Sequence, residues 1–204
     1  HKDLTNRPLA IISPLILSTT YLWINYFHMA TQDIIFASIT TFGILSAIKA
    51  FKNEGLLFFF FAGIWIGFDF MFKTYLTVIP FLAILPFLIS SKIIKNKFFW
   101  IGTFMGFLPF LIWSYNIILN YGFEEFSGLY SKLLTLSNNN NFTNPFYYYI
   151  WNLPLNSLPW SIFSIIGYFN IFRLQNKIAS YFLFKFPLLV MIMLSIFSTK
   201  TPYY

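Results

Sequence analysis

The chain has 204 residues, of which 58% are hydrophobic and only 9% charged, with a mean hydropathy of +0.68. A soluble domain carries about 25% charged residues to keep water on its surface, so a water-solvated globule is excluded and lipid must be the solvent for most of this chain. The net charge of +7 lies in short basic clusters between apolar runs, which argues against nucleic-acid binding, and the absence of cysteine excludes disulfides, Cys-ligated zinc and cysteine nucleophiles.

A helix needs about 20 apolar residues to cross the hydrocarbon core. In chain order, the runs that meet this length are 8–27, 34–50, 56–72, 75–91, 98–119, 148–172 and 178–198. They predict an all-α fold, a polytopic transmembrane bundle of about seven spans forming one domain over residues 1–204. Pro14, Pro86, Pro109, Pro154 and Pro159 fall within these runs, and membrane helices accept such kinks where neighbours satisfy the freed carbonyls. The aromatic content, 29 Phe, 13 Tyr and 6 Trp, suits both the acyl region and the headgroup level.

Threading the runs in order makes their connections alternate sides. One side receives Lys2, Arg7, Lys49, Lys52, Lys92, Lys95, Lys97, Arg173 and Lys177; the other receives Lys73, Lys132 and Lys200. Lys185 lies near the start of the last run and can snorkel toward the larger group. Nine against three marks the first side as cytoplasmic. The N-terminus of the chain is then expected inside and its C-terminus outside, in a multi-pass inner (plasma) membrane protein. The chain opens on His1 and stops at Tyr204 without a polar tail, and it is read as an internal piece of a longer protein.

The expected outer side gathers His28, Asp33, Lys73, Glu124, Glu125, Lys132 and Lys200, with Asp69 about one turn below Lys73. The longest connection, 120–147, also falls there and carries the low-complexity Asn run 138–141. Asp33 opens the second run and reads equally as a helix N-cap or as a catalytic or ligand-binding carboxylate. Asp69 and Lys73 stand four apart, a spacing that suits a local ion pair near lipid. Lys73 is nevertheless a cation where cations are scarce, and an ammonium at that level is a natural phosphate partner. Lys200 reads as a flanking lysine or a second phosphate contact. Glu124 and Glu125 suit a solvated loop face. His28 has no second His or Cys at ligand spacing, so no metal site is assigned. Asn141-Phe142-Thr143 matches the N-glycosylation pattern, a signal of low specificity. No Gly-rich phosphate loop, Ser–His–Asp set or HExxH motif occurs.

Taken in order, these residues resemble the GT-C superfamily of membrane glycosyltransferases that use polyprenyl-phosphate sugars. The nearest branch is the one containing the aminoarabinose transferase ArnT and the protein O-mannosyltransferases. Five places carry the resemblance. Asp33 matches an Asp that opens a helix after the second outer loop. Gly67-Phe68-Asp69-Phe70-Met71-Phe72-Lys73-Thr74, followed by Pro80, is similar to a Gly-rich helix ending in Thr-Lys-Gly. Pro145-Phe146-Tyr147-Tyr148-Tyr149 looks like the family's Pro-Phe-Trp-Tyr-Tyr, and Leu158-Pro159-Trp160 like its Leu-Pro-Trp. Lys200-Thr201-Pro202-Tyr203-Tyr204 resembles its Lys-x-Pro-x-Tyr. The departures are Asp69 for a Gly, Phe72-Lys73-Thr74 for Thr-Lys-Gly, and the lack of the loop His that helps hold zinc in ArnT.

The resemblance implies transfer of a sugar from a polyprenyl-phosphate donor to a lipid, glycan or protein acceptor on the extracytoplasmic side. Lys73 and Lys200 would hold the donor phosphate and Asp33 would serve as the catalytic carboxylate or orient the acceptor, with Asp69 and Tyr204 in support. Whether a divalent metal takes part is left open. The family's principal catalytic acid would precede His1, so these residues alone are expected to be inactive. The alternative, a flippase or transporter of lipid-linked saccharides, calls for ionisable residues deep within the spans. Here the charges gather near the run ends.

Overall fold

The computed structural model describes residues 12–26, 32–128, 131, 144–171, 176–197 and 200. These residues form helices and turns, with no strand among them. The chain divides into two compact units, His1–Ile34 with Asn144–Tyr204, and Ile35–Thr143. Among the described residues, four helical stretches are long and apolar enough to cross a membrane: Gln32–Phe51, Leu56–Ser90, Lys97–Tyr121 and Lys177–Ile196.

The central unit is built from α3 (Gln32–Phe51) from Ile35 onward, α4 (Leu56–Lys73), α5 (Val78–Ser90) and α6 (Lys97–Tyr121). Sequence punctuation sets their ends. Asn53 and Gly55 take positive φ in the turn between α3 and α4, a backbone state that Asn and Gly adopt most readily. Asn96 caps α6, its side chain accepting from the Phe98 N–H at 2.9 Å. Between α4 and α5 a 3-10 turn, Thr74–Thr77, reverses the chain. Side-chain contacts establish that reversal. Thr40 meets Asp69 and the Trp65 ring lies over Gly43, so α3 and α4 are antiparallel; Phe51 and Phe87 rings stand 5.8 Å apart. Had α5 continued along the axis of α4, Phe87 would lie roughly 45 Å from Phe51 at 1.5 Å per residue. The 35-residue stretch Leu56–Ser90 therefore contains both the 56–72 and the 75–91 runs, folded back on each other.

The closest packing is between α4 and α6, which run parallel. Gly63 and Gly67 on α4 oppose Gly102 and Gly106 on α6, and a Cβ on any of the four would lie closer than 3.0 Å to main-chain atoms of the other helix. Gly-x-x-x-Gly on both partners lets the backbones touch, which is how helices associate where lipid removes the hydrophobic drive. Above the glycines, Phe70 packs on Phe107 and Phe110 at 5.3 and 4.9 Å. One end of this unit carries Lys49, Lys52, Lys92, Lys95 and Lys97, with the Lys49 ammonium 5.0 Å from the Phe58 ring centre. Lys73 and Thr74–Thr77 lie at the opposite end.

The second unit contains α1 (Ile12–Ser18), α2 (Tyr21–Tyr26), α7 (Tyr148–Asn156), α8 (Ser161–Ile171), α9 (Lys177–Ser180) and α10 (Phe186–Ile196), the last two joined by a π-helical turn, Tyr181–Lys185. Two of the expected runs are here in two pieces each. The 8–27 run breaks at Thr19–Thr20 and the 148–172 run at residues 157–160, where a cis peptide precedes Pro159. Proline supplies no N–H and disfavours helical backbone at the residue before it. The two breaks meet: the Tyr21 N–H donates to the Leu158 carbonyl at 3.2 Å, and the Trp160 indole N–H donates to Thr19 Oγ1 at 2.7 Å. Groups freed by one break are thus used by the other, as a non-helical backbone away from water requires.

Candidate functional site

Four of the sequence-derived candidates, Asp33, Asp69, Lys73 and Lys200, lie among the described residues. Asp33 is the second residue of α3, in its first turn, where a carboxylate meets the positive end of the helix dipole. It is half-buried. Lys73 is the last residue of α4 and is also half-buried. The residue after it, Thr74, has φ 43° and ψ −111°. A β-branched residue at positive φ is an outlier, and this is the position at which the resembling family carries glycine. The backbone at the Lys73 turn thus keeps a glycine-like conformation under a threonine side chain.

Asp69 is fully buried, and its Oδ2 accepts from Thr40 Oγ1 at 2.5 Å. Its Oδ1 has no hydrogen-bond partner among the described residues. The i, i+4 spacing with Lys73 suggested a local ion pair; the carboxylate instead turns to Thr40 on the neighbouring helix. That pairing crosses 29 residues of sequence, and no local signal announces it.

Lys200 is 3% exposed. Its ammonium donates to the carbonyls of Asn144 at 3.0 Å and Phe197 at 2.6 Å. The Asn144 side-chain amide in turn donates to the Lys200 carbonyl at 3.0 Å. Among the described residues no carboxylate pairs with it. Two neutral carbonyls hold the ammonium in place without cancelling its charge. Next to Asn144, the motif Pro145-Phe146-Tyr147-Tyr148-Tyr149 buries Tyr148 and Tyr149 and leaves Phe146 and Tyr147 exposed. The Tyr148 N–H donates to the Pro145 carbonyl at 3.0 Å, which starts α7. Sequence reasoning missed both Thr40 and Asn144.

Tyr204, His28, Lys132, the Asn run 138–141 and the Asn141-Phe142-Thr143 pattern lie outside the described residues. Glu124 and Glu125 sit in a short helical stretch, 123–128, and are exposed. Among the described residues no group of three or more His, Cys, Asp or Glu gathers in one place.

Comparison with protein families gives one decisive result. The family model described as dolichyl-phosphate-mannose-protein mannosyltransferase matches residues 1–115, more than half of the chain. The chain belongs to that family. It is a multi-pass membrane glycosyltransferase of the GT-C type, and the matched segment contains Asp33, Asp69 and Lys73. Comparisons with curated proteins and with solved structures find no match.

Proposed function

We propose that the protein transfers a sugar, from a donor linked to a polyprenyl phosphate, to an acceptor at the extracytoplasmic face of the inner membrane. The observation that carries this reading is the family match across the segment holding Asp33 and Lys73. The donor's isoprenoid tail would lie along the apolar helices, with about seven spans in all. Its phosphate would reach Lys73 and Lys200, whose ammonium groups offset the charge that grows on the phosphate as the sugar departs. The buried ammonium of Lys200, with no carboxylate partner among the described residues, supports that role. Asp33 would orient the acceptor or act as its base, and Asp69 and Tyr204 would support the site.

The test is transfer activity of the full-length protein in membranes. Lys73→Ala and Lys200→Ala should each lower kcat/KM by about 100-fold, the scale seen when a donor to developing negative charge is removed. Insertion and abundance should stay at the level of the unsubstituted protein. Normal turnover in both variants would overturn the assignment of the phosphate site.

A further inference from the structure

We infer that Asn144 is a positioning residue for Lys200, holding its ammonium so that the remaining N–H faces an anionic oxygen; the inference rests on the proposed role of Lys200 as a donor-phosphate contact. The two residues stand 56 apart in sequence and are tied twice in opposite senses. Asn144 gives its side-chain amide N–H to the main chain of Lys200 and receives the Lys200 ammonium on its own main-chain carbonyl. One tie fixes where the lysine backbone sits and the other fixes where its tip sits.

A lysine is a flexible four-carbon stem ending in a point charge, with three N–H donors and no acceptor. Here two donors are used on carbonyls, Asn144 O and Phe197 O, which leaves one with no partner among the described residues. Burial of a charge without a counter-ion is unfavourable, so an ammonium in this state has a standing demand for an anion. A phosphate oxygen meets that demand through a charge-assisted hydrogen bond. The clasp also rests on a firm support. Asn144 directly precedes Pro145, whose ring fixes φ and whose carbonyl is bonded to the start of α7. Asn144 itself touches no substrate in this account; it acts through the lysine.

The experiment uses the full-length protein in lipid nanodiscs, with a polyprenyl phosphate as the probe and its Kd as the readout. Asn144→Ala should raise Kd by about tenfold, the upper range for a lost hydrogen bond. In a Lys200→Ala background the same change should shift Kd less than about twofold, because the group being positioned is gone. Asn144→Asp, nearly isosteric and so a second route if the alanine variant fails to fold, should weaken binding more than alanine does. Its carboxylate cannot donate to the Lys200 carbonyl and would pair with the ammonium in place of phosphate. Equal losses in both backgrounds, or an unchanged Kd for both Asn144 variants while Lys200→Ala loses binding, would overturn the inference and leave the proposed function intact. An unchanged Kd in Lys200→Ala would instead overturn the phosphate-binding role of Lys200, and the inference with it.

Discussion

At the scale of single residues, polar groups that carry the most meaning are the ones whose partners lie far away in sequence. Asp69 finds Thr40 and Lys200 finds Asn144; neither pairing could be read from spacing, because it depends on how whole helices are placed. Thr74 is the opposite case. The Lys73-Thr74 pair was legible as a departure from a Thr-Lys-Gly pattern, and the positive φ gives that departure a physical cost. An L-residue with a Cβ in this region is strained by about 1–2 kcal/mol, which glycine avoids. Thr74→Gly should therefore stabilise the central unit by about 1 kcal/mol, less the greater freedom that glycine gives the unfolded chain. A raised thermal midpoint in a fluorescence melt of the detergent-solubilised protein checks this; a lowered midpoint would mean that the threonine side chain contributes more than its backbone strain removes.

At the scale of elements, apolar run length located the central helices within a few residues: 34–50, 56–72 and 98–119 became Gln32–Phe51, Leu56–Lys73 and Lys97–Tyr121. Length alone could not show that the 8–27 and 148–172 runs are broken: the first breaks at Thr19–Thr20, where no proline stands, and in the second a proline kink and a true break share one sequence signature. Nor did it show which helices touch. The signal for that was present in the spacing of Gly63 with Gly67 and of Gly102 with Gly106, the pattern that lets two helix backbones meet. Gly67→Leu or Gly106→Leu must push the two helices apart, at a cost of about 1–3 kcal/mol or more. Both should lower the thermal midpoint and the yield of folded protein. Gly167 on α8 has open space around its Cβ position, so Gly167→Ala should leave both unchanged. Equal tolerance of leucine at Gly67 and alanine at Gly167 would contradict the backbone contact between α4 and α6.

At the scale of the whole molecule, sparse charge and high hydropathy were enough to read a helical membrane protein, and the family match agrees with the glycosyltransferase reading. The packing of the central unit adds a further consistency. Its helix directions bring Lys49, Lys52, Lys92, Lys95 and Lys97 to one end and Lys73 to the other, the same alternation that the basic residues imply along the chain. What composition could not supply is the address of each end relative to the two aqueous compartments. The proposed chemistry depends on that address, because the proposed phosphate contact at Lys73 has to open on the extracytoplasmic side.

The most direct measurement is cysteine labelling in intact cells with a membrane-impermeant maleimide, using single substitutions in a chain that has no cysteine of its own. Asp33→Cys and Lys73→Cys should label from outside, while Asn53→Cys and Lys95→Cys should label only after the membrane is opened. Labelling of Asp33→Cys and Lys73→Cys from opposite sides, or of both only after opening, would contradict an extracytoplasmic active site.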